Sequence, residues 1–241
     1  VRLFRHAAPY VNAHRGRTFV IAFGGEVVQS AGFERFVHDI ALLHALGVRL
    51  VLVHGARPQV RDMLNGAKIE SAEHRGLRVT NPETLESVKA AAGAVRTEIE
   101  GRLSMGLANS PMANSRIRVA AGNFVTARPL GVVDGVDFQH TGEVRRIDAE
   151  GIRQRLDDRA IVLVSPLGYS MTGEVFNLRF TDVAAAVAES VEADKLICLC
   201  EVDPLTALPR QLASEEMPDV LDGLDGDLWA DLSAASRAEI G

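Results

Sequence analysis

The residues of this sequence best suited to hold an anion lie in three short stretches: Gly24-Gly25-Glu26, Gly55-Ala56-Arg57-Pro58 and Ser165-Pro166-Leu167-Gly168. Each follows an apolar run that reads as a buried strand. Ligands of open α/β sheets bind beyond the carboxyl ends of the strands, so the three stretches belong to one candidate cleft. Gly24 and Gly25 lack a Cβ, which lets their N–H groups approach an oxyanion closely, and a helix starting there adds the positive end of its dipole. The implied chemistry is recognition of a phosphate or a carboxylate. The plain alternative is a tight turn, which glycine pairs after strands often form.

Other chemistries find less support. Neither GxxxxGK[ST] nor GxGxxG occurs, which removes simple P-loop and Rossmann readings. His140-Thr141-Gly142-Glu143 lacks the spacing of a zinc motif, so no metal is assigned. The seven histidines are scattered, and no Ser/His/Asp constellation is readable. Cys198 and Cys200 share one face of an apolar strand and read as two small core side chains rather than a disulfide framework.

A parallel sheet would position these loops. The runs VRLVLV, AIVLVS and KLICLC are apolar but for Arg49, Ser165 and Lys195 at or near their ends, as expected of strands covered on both faces by helices. Strands are expected at Thr18–Phe23, Val48–Val53, Ile117–Ala121, Ala160–Val164 and Lys195–Cys200. Helices are expected across Phe33–Leu43 (ended by Gly47), Pro82 to about Leu107, Ala149–Leu156 and Thr181–Ala193. Alternation of this kind predicts an α/β fold, a three-layer α/β/α sandwich with a mainly parallel central sheet. Residues Gly131–Ile147, with turn signals at Asp134-Gly135 and Thr141-Gly142, read as an inserted β-hairpin and a possible lid. Residues 1–17 read as an N-terminal helix disturbed by Pro9, residues 18–200 as the main domain and residues 201–241 as an acidic tail. Within the tail, Ser214–Asp227 reads as a linker, followed by an apolar helical face at Leu228, Trp229, Leu232 and Ala235.

Composition fits one ordinary folded domain: 241 residues with 47% apolar and 24% charged side chains. Residues 1–200 carry 24 Lys+Arg against 22 Asp+Glu, whereas residues 201–241 carry 2 against 10. An acidic balance without basic blocks argues against nucleic-acid binding. No apolar run reaches the roughly 18 residues of a membrane span, and no secretory leader is visible, so a cytoplasmic location is expected.

Several long segments then fall into a recognisable order: FRHAAPYVNAHRGRTFVIAFGGE, LLHALGVRLVLVHGARPQV, RGLRVTNPETL, RLSM, GNFVTARPLGVVDGVDF, GEVRRID and GEVFNL. Collinearly from Phe4 to about Cys200, they resemble the N-terminal amino-acid-kinase domain of bacterial N-acetylglutamate synthases. The resemblance implies an amino-acid-kinase, carbamate-kinase-like fold. It also implies a parent enzyme that transfers acetyl from acetyl-CoA to L-glutamate, the first step of arginine synthesis, through a separate acetyltransferase domain acting in cis or in trans. The pyrophosphate loop of that domain, [RQ]xxGx[GA], is not found; Arg128-Pro129-Leu130-Gly131-Val132-Val133 fails at its last position. No cofactor is therefore expected in this chain itself, and acetyl-CoA is implied only for the intact parent.

The related N-acetylglutamate kinases end their first strand in Lys-x-Gly-Gly, and the matching position here is Ala22. Losing one preorganised donor to a migrating phosphoryl group costs about 3 kcal/mol, or roughly a hundredfold in rate. Three glycines of the kinases are Gly55, Ala56 and Arg57 here. Asp182 stands one residue too far from Asn177 to take the kinases' aspartate role. By resemblance no residue is catalytic, and the domain reads as a pseudokinase. Arg78 matches the arginine that pairs with a substrate carboxylate, its alternative being a structural ion-pair residue, and Asn177 is also retained.

In arginine-sensitive relatives a helix before the first strand interlocks subunits into a ring, and arginine binds beside it. Leu3, Phe4, Tyr10 and Val11 are the apolar residues available for such an arm, or for docking on their own domain. The expected partners are L-arginine or an N-acetylglutamate-like molecule, the acetyltransferase domain and further copies of the chain. Two rivals remain: an active acylamino-acid kinase using ATP, and a purely structural oligomerisation module.

Overall fold

A computed structural model describes residues 12–105 and 117–199. The elements are β1 (Thr18–Phe23), α1 (Gly25–Gln29), α2 (Phe33–Ala45), β2 (Arg49–His54), α3 (Arg57–Ala67), β3 (Glu73–His74), β4 (Leu77–Arg78) and α4 (Pro82–Ser104). After the gap come β5 (Arg118–Ala121), β6 (Val125–Pro129), β7 (Val132–Val133), β8 (Val136–Asp137), β9 (Gly142–Ile147) and α5 (Ala149–Asp157). Last are β10 (Ala160–Val164), β11 (Leu167–Tyr169), β12 (Val175–Asn177), α6 (Phe180–Ser190) and β13 (Lys195–Leu199).

The central sheet has the order β13-β1-β2-β10-β5, and each of its pairings is parallel. Alternate residues of a strand face opposite sides, and here both sides are dry. Phe19, Ile21, Phe23, Leu50, Leu52, Ile161 and Leu163 pack with α2, α3 and α4 on one face. Val20, Ala22, Val51, Val53, Val162 and Val164 pack on the other with α5, α6 and part of a second sheet. That second sheet, β12-β11-β6-β9, is mixed rather than parallel. The layered α/β architecture is thus as expected, with helices and a small sheet sharing one outer layer.

Caps explain several helix ends. Asn81 Oδ1 accepts from Thr84 N at 2.7 Å with Pro82 in the first turn of α4, and Asp148 Oδ1 accepts from Gly151 N at 3.0 Å at the start of α5. Gly47 (φ 90°) closes α2 with Gly47 N→His44 O and Val48 N→Leu43 O bonds of 3.0 and 3.1 Å, a Schellman ending. The same ending stops α6 at Ser190 rather than near Ala193, because Glu192 takes φ 56° without being glycine.

The inserted hairpin begins earlier than Gly131. Its outer arms are β6 and β9, paired from Val125↔Ile147 to Pro129↔Gly142, and β7–β8 form only the tip, turned by Asp134 and Gly135 at positive φ. The arm at Val125–Pro129 is interrupted by a register shift between Thr126 and Ala127, which blurs the alternation that marks a strand. Asn12–His14 are helical. Leu3, Phe4, Tyr10, Val11, Cys200 and the acidic tail with its linker and apolar face lie outside the described residues. Cys198 is half-buried against the second core face. Among the described residues no helix is long and apolar enough to cross a membrane.

Candidate functional site

At the carboxyl ends of β1 and β2 the chain must turn in a confined space. Gly55 N donates to Phe23 O at 2.8 Å, and a methyl group placed on Gly55 would lie 3.0 Å from the Phe180 ring and 3.2 Å from Gly24 Cα. The two loops therefore touch backbone to backbone, which is what these glycines permit. A methyl group on Gly24 would run into the Glu26 carboxylate, which lies over the loop. The backbone that could cradle a phosphate thus carries the chain's own carboxylate. The helix beginning there, α1, has only five residues.

These loops form one wall of a cleft of about 1510 Å³. Gly24, Gly25, Gly55, Arg57, Arg78 and Asn177 all line it, so the six residues singled out in the sequence lie around one space. Its lining cations are Arg57, Arg61, Lys68, Arg75, Arg78 and Arg179, and its lining acids are Glu26, Glu70 and Glu73. The surplus is positive, so the cleft suits an anion although the chain as a whole is acidic.

Arg78 is held on β4 with its side chain 11% exposed. Its Nη1 donates to Ser71 Oγ at 2.8 Å, and its Nη2 stands 3.5 Å from Glu73 Oε1. Burial lowers the guanidinium pKa from its usual value; Glu73 opposes that, while Arg57 and Arg61 add to it. Arg57, the first residue of α3, reaches across the cleft and donates to Glu73 Oε2 at 2.5 Å. Asn177 Nδ2 donates to the hydroxyl of fully buried Thr80 at 3.0 Å. Thr80 Oγ1 is 2.8 Å from Thr141 Oγ1, whose hydroxyl donates to the Arg78 carbonyl. This polar chain ties β4, β12 and the residue before β9 together and fixes where Arg78 stands.

Ala22 is fully buried among Val20, Val53 and Cys198 on the second core face, paired in register with Val53 and Cys198. Asp182 sits one turn into α6, 3.5 Å from Arg179 Nε, while its neighbours Arg179 and Thr181 line the cleft. His54, at the end of β2, is fully buried. Its Nδ1 is 3.1 Å from the Gly55 carbonyl, which can only accept, so Nδ1 carries the proton and Nε2 accepts from Ser165 Oγ at 2.9 Å. Desolvation, against the Gly55 bond and with help from Arg96, lowers its pKa to about 4. His54 and Ser165 thereby join two of the cleft loops. Arg128–Val133, the nearest approach to a pyrophosphate loop, runs through β6 and β7 and opens no helix. Among the described residues no three His, Cys, Asp or Glu side chains converge as metal ligands.

Sequence reasoning passed over Glu26 as a cleft occupant, read Thr141 only as a turn residue, and gave Glu73, Ser71, Thr80 and His54 no role. Thr80 stood in the GLRVT segment and His54 in VHG, both quoted for resemblance alone. Glu73 gave no signal, since β3 and β4 are two residues each, too short for periodicity.

The sequence profile of the amino acid kinase family matches residues 17–215. The chain belongs to the amino acid kinase family. Within it, the chain is 51% identical over 243 residues to the amino-acid acetyltransferase of Ectopseudomonas mendocina and 52% identical to that of Pseudomonas aeruginosa. Both alignments cover 99% of this chain and 56% of the relative, so the chain spans about half the length of the curated relatives it matches.

Solved structures agree. N-acetylglutamate synthase from Neisseria gonorrhoeae complexed with coenzyme A and L-arginine superposes with a TM-score of 0.76 at 38% identity, over 87% of this chain and 49% of that one. The same enzyme complexed with coenzyme A and N-acetyl-glutamate gives 0.78 at 34% identity, over 98% and 54%. Carbamate kinase from Giardia lamblia bound to AMP-PNP gives 0.56 at 17% identity, over 86% and 82%, a likeness of fold alone.

Proposed function

We propose that this amino acid kinase domain is the regulatory, arginine-sensing and oligomerisation module of an N-acetylglutamate synthase, and that it transfers no phosphoryl group itself. The parent reaction is acetyl transfer from acetyl-CoA to L-glutamate, carried out by an acetyltransferase domain in cis or in trans. A cytoplasmic location goes with this assignment, as does assembly through an N-terminal arm carrying Leu3, Phe4, Tyr10 and Val11.

One observation carries the pseudokinase part. At the end of β1, next to the glycine loop, the residue is Ala22, a methyl group sealed in the core. Phosphoryl transfer depends on positive charge placed against the migrating group, and the kinase lysine that would place it there is absent. Two further features support the reading: Glu26 lies over Gly24, where it would repel a phosphate, and Arg57 replaces a glycine and is engaged by Glu73. Beside that pair, Arg78 remains suited to a carboxylate, so the cleft stays a ligand site for a carboxylate-bearing, amino-acid-like molecule.

The test has two arms. Incubation with ATP, magnesium and N-acetyl-L-glutamate should give no acyl phosphate above background; measurable turnover would reject the pseudokinase reading. Titration with L-arginine should give saturable heat. Silence there, together with unchanged arginine inhibition of acetyl transfer when Leu3, Phe4 and Tyr10 are replaced in the intact parent, would reject the sensing role.

A further inference from the structure

Glu73 stands where a ligand's carboxylate is expected. Its Oε2 accepts from Arg57 Nη2 at 2.5 Å while its Oε1 lies 3.5 Å from Arg78 Nη2. One carboxylate therefore spans two guanidiniums that the cleft would otherwise offer to an anion. Arg61 also acts on Arg78 through its positive charge, so Glu73 is the one carboxylate set against two cations that press on this partly desolvated guanidinium. The strand that carries Glu73 is tethered. Arg75 Nε and His74 Nε2 meet Asp134 Oδ2 at 2.6 and 3.1 Å, joining the turn of β3–β4 to that of β7–β8.

We propose that Glu73 is the specificity-determining residue of the cleft, a built-in carboxylate that takes the seat of one ligand carboxylate and shuts out dicarboxylates. The inference rests on the reading of the cleft as a ligand site. With Glu73 in place, its two oxygens already engage Arg57 and Arg78, so a ligand carboxylate must share those guanidiniums with it. A second ligand carboxylate must displace Glu73 or face it, and like charges at that separation repel. Gln in place of Glu73 keeps the shape and removes the charge, freeing both forks.

Calorimetric titration of the whole chain with N-acetyl-L-glutamate, which has two carboxylates, and with N-acetylglycine, which has one, tests this. Glu73→Gln should bind N-acetyl-L-glutamate about tenfold more tightly than the unaltered chain, and N-acetylglycine no more than about twofold more tightly. Adding Arg78→Gln to that variant should cancel the gain. Asp134→Asn loosens the tether while leaving Glu73, Arg57 and Arg78 intact; it should show a smaller gain in the same direction and serves if Glu73→Gln does not fold. Equal affinity with and without Glu73, or a gain that survives loss of Arg78, overturns the proposal and leaves the cleft a ligand site. Silence of all variants toward both ligands overturns it together with the ligand-cleft reading.

Discussion

Acidification should loosen this domain through one residue, His54. Folding buries its imidazole completely and lowers its pKa from 6.5 to about 4, burial being the largest cause. Between those values the unfolded chain holds the proton and the folded chain does not, so stability rises with pH across that window and is lost as pH falls through it. Each unit of separation is worth about 1.4 kcal/mol, so lowering the pH from 7 to 4.5 should remove roughly 2 kcal/mol through this group. His54→Asn can keep a donor toward the Gly55 carbonyl but cannot titrate. Urea unfolding at several pH values should show the original chain losing that amount relative to the variant between pH 7 and 4.5. Since the imidazole joins the Gly55 and Ser165 loops, amide protection relative to the intrinsic exchange rate should fall in both in step. Parallel pH profiles for the two proteins would refute the reasoning, because they would mean that His54 is not neutral and buried.

Three other outcomes are expected. Ala22→Lys should leave ATP-dependent phosphorylation of N-acetyl-L-glutamate at background, since Glu26 would still lie over Gly24 and Arg57 would still be paired with Glu73; a coupled nucleotide assay decides it. Asn81→Ala should cost about 1 kcal/mol in chemical denaturation by leaving the Thr84 N–H at the start of α4 uncapped. Phe138→Ala should cost about 3–5 kcal/mol, because this ring, 1% exposed and packed near His74, anchors the β7–β8 tip; amide exchange should rise in both hairpins first.

The buried strands were legible because a parallel strand covered on both faces has no polar side, and VRLVLV and AIVLVS have none. The ends of α2 and α4 were legible because Gly47 and Pro82 act locally. The end of α6 was not, since Glu192 takes a left-handed conformation that its side chain does not announce. The hairpin was placed at its turn residues, and its bulged outer arm was overlooked.

Residue types and spacing by themselves determined the layered fold and the loops that line the cleft, while the resemblance to the kinases supplied the expectation that Ala22 stands at their lysine's position. Each of these follows from periodicity, or from one residue read against a familiar pattern. Tertiary structure alone decided what fills the cleft. Glu26 curls back over Gly24, and Glu73 arrives on a two-residue strand to meet Arg57, sixteen residues away, and Arg78 across a tight turn. Charge pairing depends on separation in space, and only folding sets that separation for side chains on different loops.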